Sequence, residues 1–223
     1  MKIKVLTLFP ELYSSLNVSI IGKALEKGAF EVDVINIRDY STDKHKKCDD
    51  YPYGGGAGMV MTPQPLHNAI INNDAEHKYL RIYLSPKGER LNQGLVERLA
   101  KEENIMLING SYEGIDQRVI ELDVDMELSI GDYVITSGDL ASQVIINAVA
   151  RYIPDVLGSS DSTSEESFAT SMLEYPHYTR PQTFEGKSVP DVLLSGNHAE
   201  IEKWRRQKSW EITHVKRPDL LEK

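Results

Sequence analysis

Short runs rich in Ile, Val and Leu recur along this chain, and segments with helical character separate them; that alternation limits the fold more than any other feature. Residues 2–9 alternate and predict a strand. A helix follows near 19–27 and stops at Gly28, in the place a helix C′ residue prefers. Residues 30–37, Phe-Glu-Val-Asp-Val-Ile-Asn-Ile, alternate strictly and predict a second strand. Residues 38–58 are polar, then glycine-rich, and are expected to form a long loop. Thr62-Pro63 has the form of a helix start, with Thr as N-cap and Pro at the first helical position. Strand 79–84, helix 92–102 behind Asn92, strand 105–109 ending at Gly110, helix 115–122 and strand 124–128 follow. After a loop over 129–137 comes an apolar helix, 139–153, ended by Pro154. The fold class expected from this order is α/β, a mostly parallel sheet with helices on both faces.

The pattern breaks at residues 158–172, whose first seven residues include five Gly or Ser. This stretch predicts a flexible linker. Short helices are expected beyond it at 190–195, 198–208 and 217–222. The expected domains are therefore 1–157 and a small helical unit, 173–223, joined by the linker.

Composition excludes several classes. Hydrophobic residues make up 40% and charged residues 26%, as in a globular protein with a proper core. No apolar run approaches the roughly 20 residues that span a bilayer. The basic start, Met1-Lys2-Ile3-Lys4-Val5, lacks a signal-peptide core and cleavage site, so a cytoplasmic location and no membrane partner are expected. Cys48 is the only cysteine, which rules out an internal disulfide and a thiolate zinc site within one chain. A net charge of −9 counts against nucleic acid as a partner. The charge is uneven, however. Residues 175–223 carry nine Lys and Arg against seven Asp and Glu, whereas residues 1–174 carry sixteen against twenty-seven. Phosphate contacts are thus expected in the tail, where Lys203, Arg205, Arg206, Lys208, Lys216 and Arg217 cluster.

Common catalytic motifs are missing. Gly54-Gly55-Gly56-Ala57-Gly58-Met59 is not a dinucleotide fingerprint, because Met59 holds the last glycine position and a loop precedes it. Gly186-Lys187-Ser188 resembles the end of a P-loop, but Pro181 stands at the upstream glycine. There is no H-E-x-x-H pair and no G-x-S-x-G elbow. Three loops at the ends of predicted strands remain: 84–88, 110–114 and 130–138. In open α/β sheets, ligands sit outside the carboxyl ends of strands. Small residues there admit a ligand to the backbone, and Leu or Ile can sandwich a ring. With no phosphate signature, the ligand expected is adenosine-like without phosphates, and S-adenosylmethionine fits that description.

Tyr53-Gly54-Gly55-Gly56-Ala57-Gly58-Met59-Val60, Leu84-Ser85-Pro86, Gly110-Ser111-Tyr112-Glu113-Gly114-Ile115-Asp116, Ser129-Ile130-Gly131-Asp132-Tyr133-Val134 and Pro176-His177-Tyr178-Thr179-Arg180-Pro181 occur in one order along the chain. Together they resemble the bacterial tRNA (guanine-N1)-methyltransferases of the SPOUT superfamily. The resemblance implies a deep trefoil knot, which no periodicity predicts. It implies an obligate homodimer with shared active sites, and methylation of the guanosine immediately 3′ of the anticodon in tRNA. Cofactor contacts would fall on Tyr83, Leu84, Ser85, Pro86, Gly110, Tyr112, Glu113, Gly114, Ile130, Tyr133, Ile135 and Gly138. Arg151 matches the family's catalytic arginine. Besides Lys203, Arg205 and Arg206, tRNA contacts would fall on Ser167, Glu174, His177 and Arg180. A divalent cation such as Mg2+ is an expectation of the family alone, and no ligand cluster in the sequence demands one.

Two positions depart from the family pattern. Ser137 stands where a second glycine usually precedes Gly138, and Glu166 stands where the catalytic aspartate of Asp-Ser-Phe usually lies. Ser167 and Phe168 follow in register, which favours Glu166 as general base over Glu165 and Asp161. The chemistry asks for such a pair of residues. Guanine N1 carries a proton at neutral pH, so a carboxylate must remove it while a guanidinium stabilises the charge spreading to O6. Two other readings fit the same residues: a SPOUT enzyme with another RNA target, and a non-catalytic RNA-binding relative.

Overall fold

The structure, a computed structural model, describes residues 1–157 and 166–222. Residues 158–165 of the expected linker, with Asp161 and Glu165, lie outside the described residues. The chain divides into two compact units, Met1–Gly158 and Ser159–Lys223.

In the first unit five strands form one sheet: β1 (Lys2–Thr7), β2 (Glu31–Asn36), β3 (Leu80–Arg90), β4 (Asn104–Asn109) and β5 (Met126–Ser129). Their spatial order is β2-β1-β4-β3-β5, and every neighbouring pair is parallel. Parallel neighbours need crossovers, which run through the helices α1 (Ser19–Glu26), α2 (Pro63–Asn73), α3 (Gln93–Leu99) and α4 (Gln117–Asp123), and a fifth helix, α5 (Asp139–Ala150), follows the last strand. Successive strand residues serve opposite faces. Ile3, Val5, Ile82, Leu84, Ile105 and Leu107 pack with Ile21 of α1, Leu95 and Leu99 of α3, and Ile145 and Val149 of α5. Leu6, Tyr83, Met106 and Ile108 pack instead with Leu66 and Ile70 of α2 and Val119 of α4. Burial on both faces explains the near-continuous apolar sequence of the central strand β4. Strand β2 lies at the edge, and its alternation holds from Glu31 to Val34 but breaks at Ile35, which is buried on the opposite face.

Several elements differ from the sequence expectation. The strand expected over 79–84 continues to Arg90. Its register on β5 shifts, so that Leu84 and Glu89 both face Leu128, and Ser85-Pro86-Lys87-Gly88 leaves the ladder between them. Pro86 has no N–H to give a ladder, which favours that excursion. Residues 10–17 form a 3-10 helix with Pro10 at its start and Tyr13 and Leu16 buried. The long loop over 38–58 contains a 3-10 turn, Ile37–Tyr40, and a short strand, Asp49–Asp50, paired with Val60–Met61. Thr62 has N-cap backbone geometry, but its side chain makes no capping bond. Helix α5 ends at Ala150 rather than 153. The Tyr152 and Ile153 N–H groups already donate to carbonyls three residues back, and Pro154 has none to donate.

The second unit holds a small hairpin, Thr183–Phe184 with Lys187–Ser188, and the helices α6 (Asp191–Leu194) and α7 (His198–Lys216). Helix α7 runs well past the expected end at 208, and residues 217–222 hold only a 3-10 turn, Pro218–Leu220. The buried residues of α7 are Ser209 and Thr213, which send no apolar signal. Thr213 accepts the Leu173 N–H and donates to Ser209 O, so its burial is polar and local. Among the described residues no helix is long and apolar enough to cross a membrane.

At the amino end of β3, Arg81 and Asp74 form a buried ion pair at 2.8 Å. Asp74 also accepts the Lys78 N–H at 2.7 Å, and the Arg81 guanidinium donates to the Asp74 carbonyl at 2.6 Å. Removing one partner would strand the other charge out of water. Arg81→Ala is expected to lower the unfolding free energy by about 3–5 kcal/mol, read from urea denaturation with an unchanged slope.

Candidate functional site

The carboxyl ends of β3, β4 and β5 open into a cavity of about 320 Å3. Three loops build it. The first is the Ser85–Gly88 excursion. The second, 110–114, leaves β4, and the third, 130–138, runs from β5 into α5. Tyr83, Leu84, Ser85, Pro86, Gly110, Tyr112, Glu113, Gly114, Ile130, Tyr133, Ile135 and Gly138 all line this one space. The structure thus brings together every residue expected from the sequence to meet a cofactor. The second and third loops are fastened to each other: the Gly138 N–H donates to Gly110 O at 2.9 Å, and Ser111 bridges Ser137.

Local backbone conformation sets the walls. Tyr112 is held at φ 59 in the left-handed region, uncommon for a residue with a side chain, and its ring is partly exposed over the cavity. Gly131 has φ +152, and a Cβ there would lie 2.4 Å from the Tyr133 ring, so this loop can fold over its own aromatic only with glycine. The end of the glycine cluster and the residues just after it, Gly58 to Met61, support the second loop. The Glu113 N–H donates to Met59 O at 3.0 Å and the Met61 N–H to Gly114 O at 2.9 Å. A Cβ on Gly58 would meet the Glu113 carboxyl at 2.5 Å.

Behind the cavity lies a buried polar network. Asp139, at the start of α5, is 0% exposed. Its Oδ1 accepts from Thr7 Oγ1 at 2.6 Å, Tyr13 OH at 3.0 Å and Asn109 Nδ2 at 3.3 Å. Its Oδ2 accepts from Ser137 Oγ at 2.7 Å. Burial, together with the Asp139 carboxylate, pushes the Tyr13 phenol far above its ordinary range, so it stays a neutral donor. Ser137, one of the departures from the family pattern, therefore lines the cavity and anchors it with the same short side chain.

Of the remaining expected site residues, Arg151 belongs to the first unit and the others to the second. Arg151 caps the end of α5, in the first unit, and lines a separate hollow with Ser15, Val18, Ile20 and Asn147. Glu166 lies in the second unit, where its carbonyl accepts the Ala169 N–H. Ser167 Oγ accepts the Glu174 N–H, and Glu174 pairs with His177 at 2.8 Å. Arg180 is exposed. Lys203 and Arg206 share a face of α7 with Trp210, and the Arg205 guanidinium lies 4.8 Å from the Tyr175 ring centre. Among the described residues no group of three or more His, Cys, Asp or Glu is placed to hold a metal ion.

Gln117 and Ile120 of α4 and Glu127 of β5 also line the cavity, and sequence reasoning did not single them out. For Glu127 a signal existed: a carboxylate inside a short strand between Met126 and Leu128.

A parallel sheet with a ligand-sized cavity at its strand ends, walled by Leu84, Ile130, Ile135 and loop backbone, defines a small-molecule-binding α/β enzyme scaffold. Over residues 1–223 the sequence matches the family described as tRNA (Guanine-1)-methyltransferase TrmD. It is 55% identical over 223 residues to the tRNA (guanine-N(1)-)-methyltransferase of Clostridium botulinum strain Kyoto, covering 100% of this chain and 92% of that protein. The protein of the same name from Clostridium novyi strain NT is 52% identical over 221 residues, covering 99% and 91%. That from Clostridium beijerinckii is 51% identical over 223 residues, covering 100% and 93%. The chain belongs to the tRNA (guanine-1)-methyltransferase family.

Asp139→Asn replaces an acceptor-only group with one that must also donate, into a ring of hydroxyl and amide donors. The variant is expected to lose about 1–3 kcal/mol of stability, measured by urea unfolding.

Proposed function

We propose that this protein methylates N1 of the guanosine immediately 3′ of the anticodon in tRNA, with S-adenosylmethionine bound in the cavity at the strand ends. The observation that carries this reading is the convergence of the three strand-end loops on one space with apolar walls and loop backbone. The cavity fits an adenosine-like ligand. Leu84, Ile130 and Ile135 offer apolar surface to a ring, the loops 110–114 and 130–138 offer backbone groups, and no glycine loop cradles a phosphate. When bound, the cofactor supplies a methyl group made electrophilic by a sulfonium.

The residues of the chain do the rest. The Glu166 carboxylate takes the proton from guanine N1, and the Arg151 guanidinium stabilises the negative charge that spreads to O6. Tyr112, Tyr133 and the loops hold the reacting groups at attack distance, where pre-organisation contributes most. Glu166 is one methylene longer than the usual aspartate, and a shift of the chain around it accommodates that length. No step is assigned to a metal ion. The same reading carries the knotted threading of the SPOUT fold and a cytoplasmic location. Ser167, Glu174, His177, Arg180, Lys203, Arg205 and Arg206 are assigned to tRNA. The grouping of Lys203 and Arg206 with Trp210 supports this, because cations beside an aromatic suit phosphate and base contacts.

The active form is a homodimer in which each site draws on both copies. Arg151 lines a hollow away from the cofactor cavity. Around that hollow Leu12, Val18, Ile20, Leu140 and Val144 are exposed on α5 and on the segments at 12–20. Exposed apolar residues grouped in this way suit a covering partner surface.

Methyl transfer from labelled S-adenosylmethionine to unmodified tRNA tests the activity. Transcripts with G at the target position should be labelled and those with A should not; equal labelling, or none, would sink the reading. In single turnover, Glu166→Gln is expected to lose nearly all activity while still binding cofactor, whereas Glu165→Gln keeps most of it and Glu166→Asp remains active. Methylation by Glu166→Gln at the parental rate would remove Glu166 from the chemistry. The shared site is tested separately by mixing Arg151→Ala with Glu166→Ala subunits. The mixed dimer should regain one intact site, and no recovery would place both residues in the same chain.

A further inference from the structure

Two polar side chains on the cavity wall hold buried atoms with no hydrogen-bond partner among the described residues: Ser111 Oγ and Glu127 Oε2. Ser111 is 5% exposed, at the start of the loop that leaves β4. Glu127 stands on β5 beside Tyr83 in the register, and therefore projects from the same face of the sheet. A third such atom in this unit, Asn109 Oδ1, belongs to the Asp139 network behind the wall. Native folds rarely leave buried polar atoms unpaired, since each forfeits its hydration for nothing, and a charged group forfeits most. Two of them on one cavity wall mark a site completed by a ligand.

The charges of the wall indicate which part of the ligand meets Glu127. The charged side chains lining the cavity are Lys87, Glu113 and Glu127. Lys87 and Glu113 are exposed, and the Glu113 carboxyl packs against Gly58. Glu127 is only partly exposed and takes part in no ion pair among the described residues. Its effect is already felt at Tyr83, whose phenol is raised by burial and further by this carboxylate. An unpaired carboxylate oxygen of this kind calls for a cation that can donate a hydrogen bond. S-adenosylmethionine carries two cationic centres, the sulfonium and the α-ammonium, and only the ammonium has N–H groups. We infer that Glu127 Oε2 accepts a hydrogen bond from the α-ammonium of the bound methyl donor, making Glu127 a cofactor-binding residue of this chain. The inference rests on the cofactor assignment under Proposed function.

Calorimetric titration of the full chain tests it with two ligands. One is S-adenosylmethionine; the other is 5′-methylthioadenosine, which keeps the adenosine and the sulfur but has no ammonium. Glu127→Gln is expected to weaken S-adenosylmethionine about 10- to 100-fold, as for a lost hydrogen bond to a charged group, and to leave methylthioadenosine within about twofold. Unchanged binding of S-adenosylmethionine, or an equal loss for both ligands, overturns the inference. The unmodified protein gives a second measurement that does not depend on the variant folding. An analogue of the methyl donor with hydrogen in place of the α-ammonium should bind it about 10- to 100-fold more weakly, and equal affinity overturns the inference. If the unmodified protein binds no S-adenosylmethionine, the cofactor assignment itself falls and takes this inference with it. Binding of S-adenosylmethionine without any contribution from Glu127 or the ammonium overturns this inference alone.

Discussion

A carboxylate with no exposure to water is costly to bury, and a protein keeps one only when donors surround it. Asp139 has four, and each comes from a different part of the first unit. Thr7 ends β1, Tyr13 lies in the 3-10 helix, Asn109 ends β4 and Ser137 belongs to the loop before α5. Chain segments separated by more than a hundred residues thus meet at one anion. The geometry of the cavity follows from that meeting. Asn109 is followed directly by Gly110, and Ser137 by Gly138, and both glycines line the site. Holding the residue before each glycine fixes where the backbone of both loops runs. The Gly138–Gly110 hydrogen bond then needs only to close a gap already set.

The chemistry is divided between places in a way that suits its demands. A cofactor pocket must be rigid, and the cavity proposed for it stands on three strands of a sheet buried on both faces. The groups assigned to the guanine are Arg151, in another hollow of the first unit, and Glu166, which belongs to the second unit. Exposed apolar residues border the Arg151 hollow, so completing the site and covering those residues are, on the dimer reading, one event. On that reading the cavity is complete within one copy, and only the guanine-binding groups depend on association.

What the sequence made legible, it did through backbone periodicity and strand-end chemistry. The central strand β4 could be read because burial on both faces demands an apolar run, and the edge strand β2 because its first four residues alternate. The three loops of the cavity were legible because small residues gather at three strand ends, whereas its individual lining residues came from the resemblance of their motifs to the methyltransferase family. The 3-10 helix at 10–17 was not, since its burial rests on Tyr13 and Leu16 with no 3.6-residue repeat between them. The second half of α7 was hidden for the opposite reason: Ser209 and Thr213 are buried without being apolar. The two misses have different causes, and the second is the more general. Hydrophobic patterning detects burial by apolar side chains and is blind to burial satisfied by hydrogen bonds.

The same blindness explains Glu127 and Asp139. In the sequence each is an ordinary acidic residue, one in a short strand and the other in the first turn of a helix, where a carboxylate is favoured by the dipole alone. Only three-dimensional surroundings separate them. Around Asp139 every donor comes from the protein, so the carboxylate is a fixed structural centre. Around Glu127 one oxygen is buried without a donor among the described residues, and on the inference drawn above that donor belongs to the bound methyl donor. The difference between a structural and a ligand-directed carboxylate is therefore a matter of hydrogen-bond accounting rather than of residue type or burial, and in this fold the two lie behind and along the wall of the same cavity.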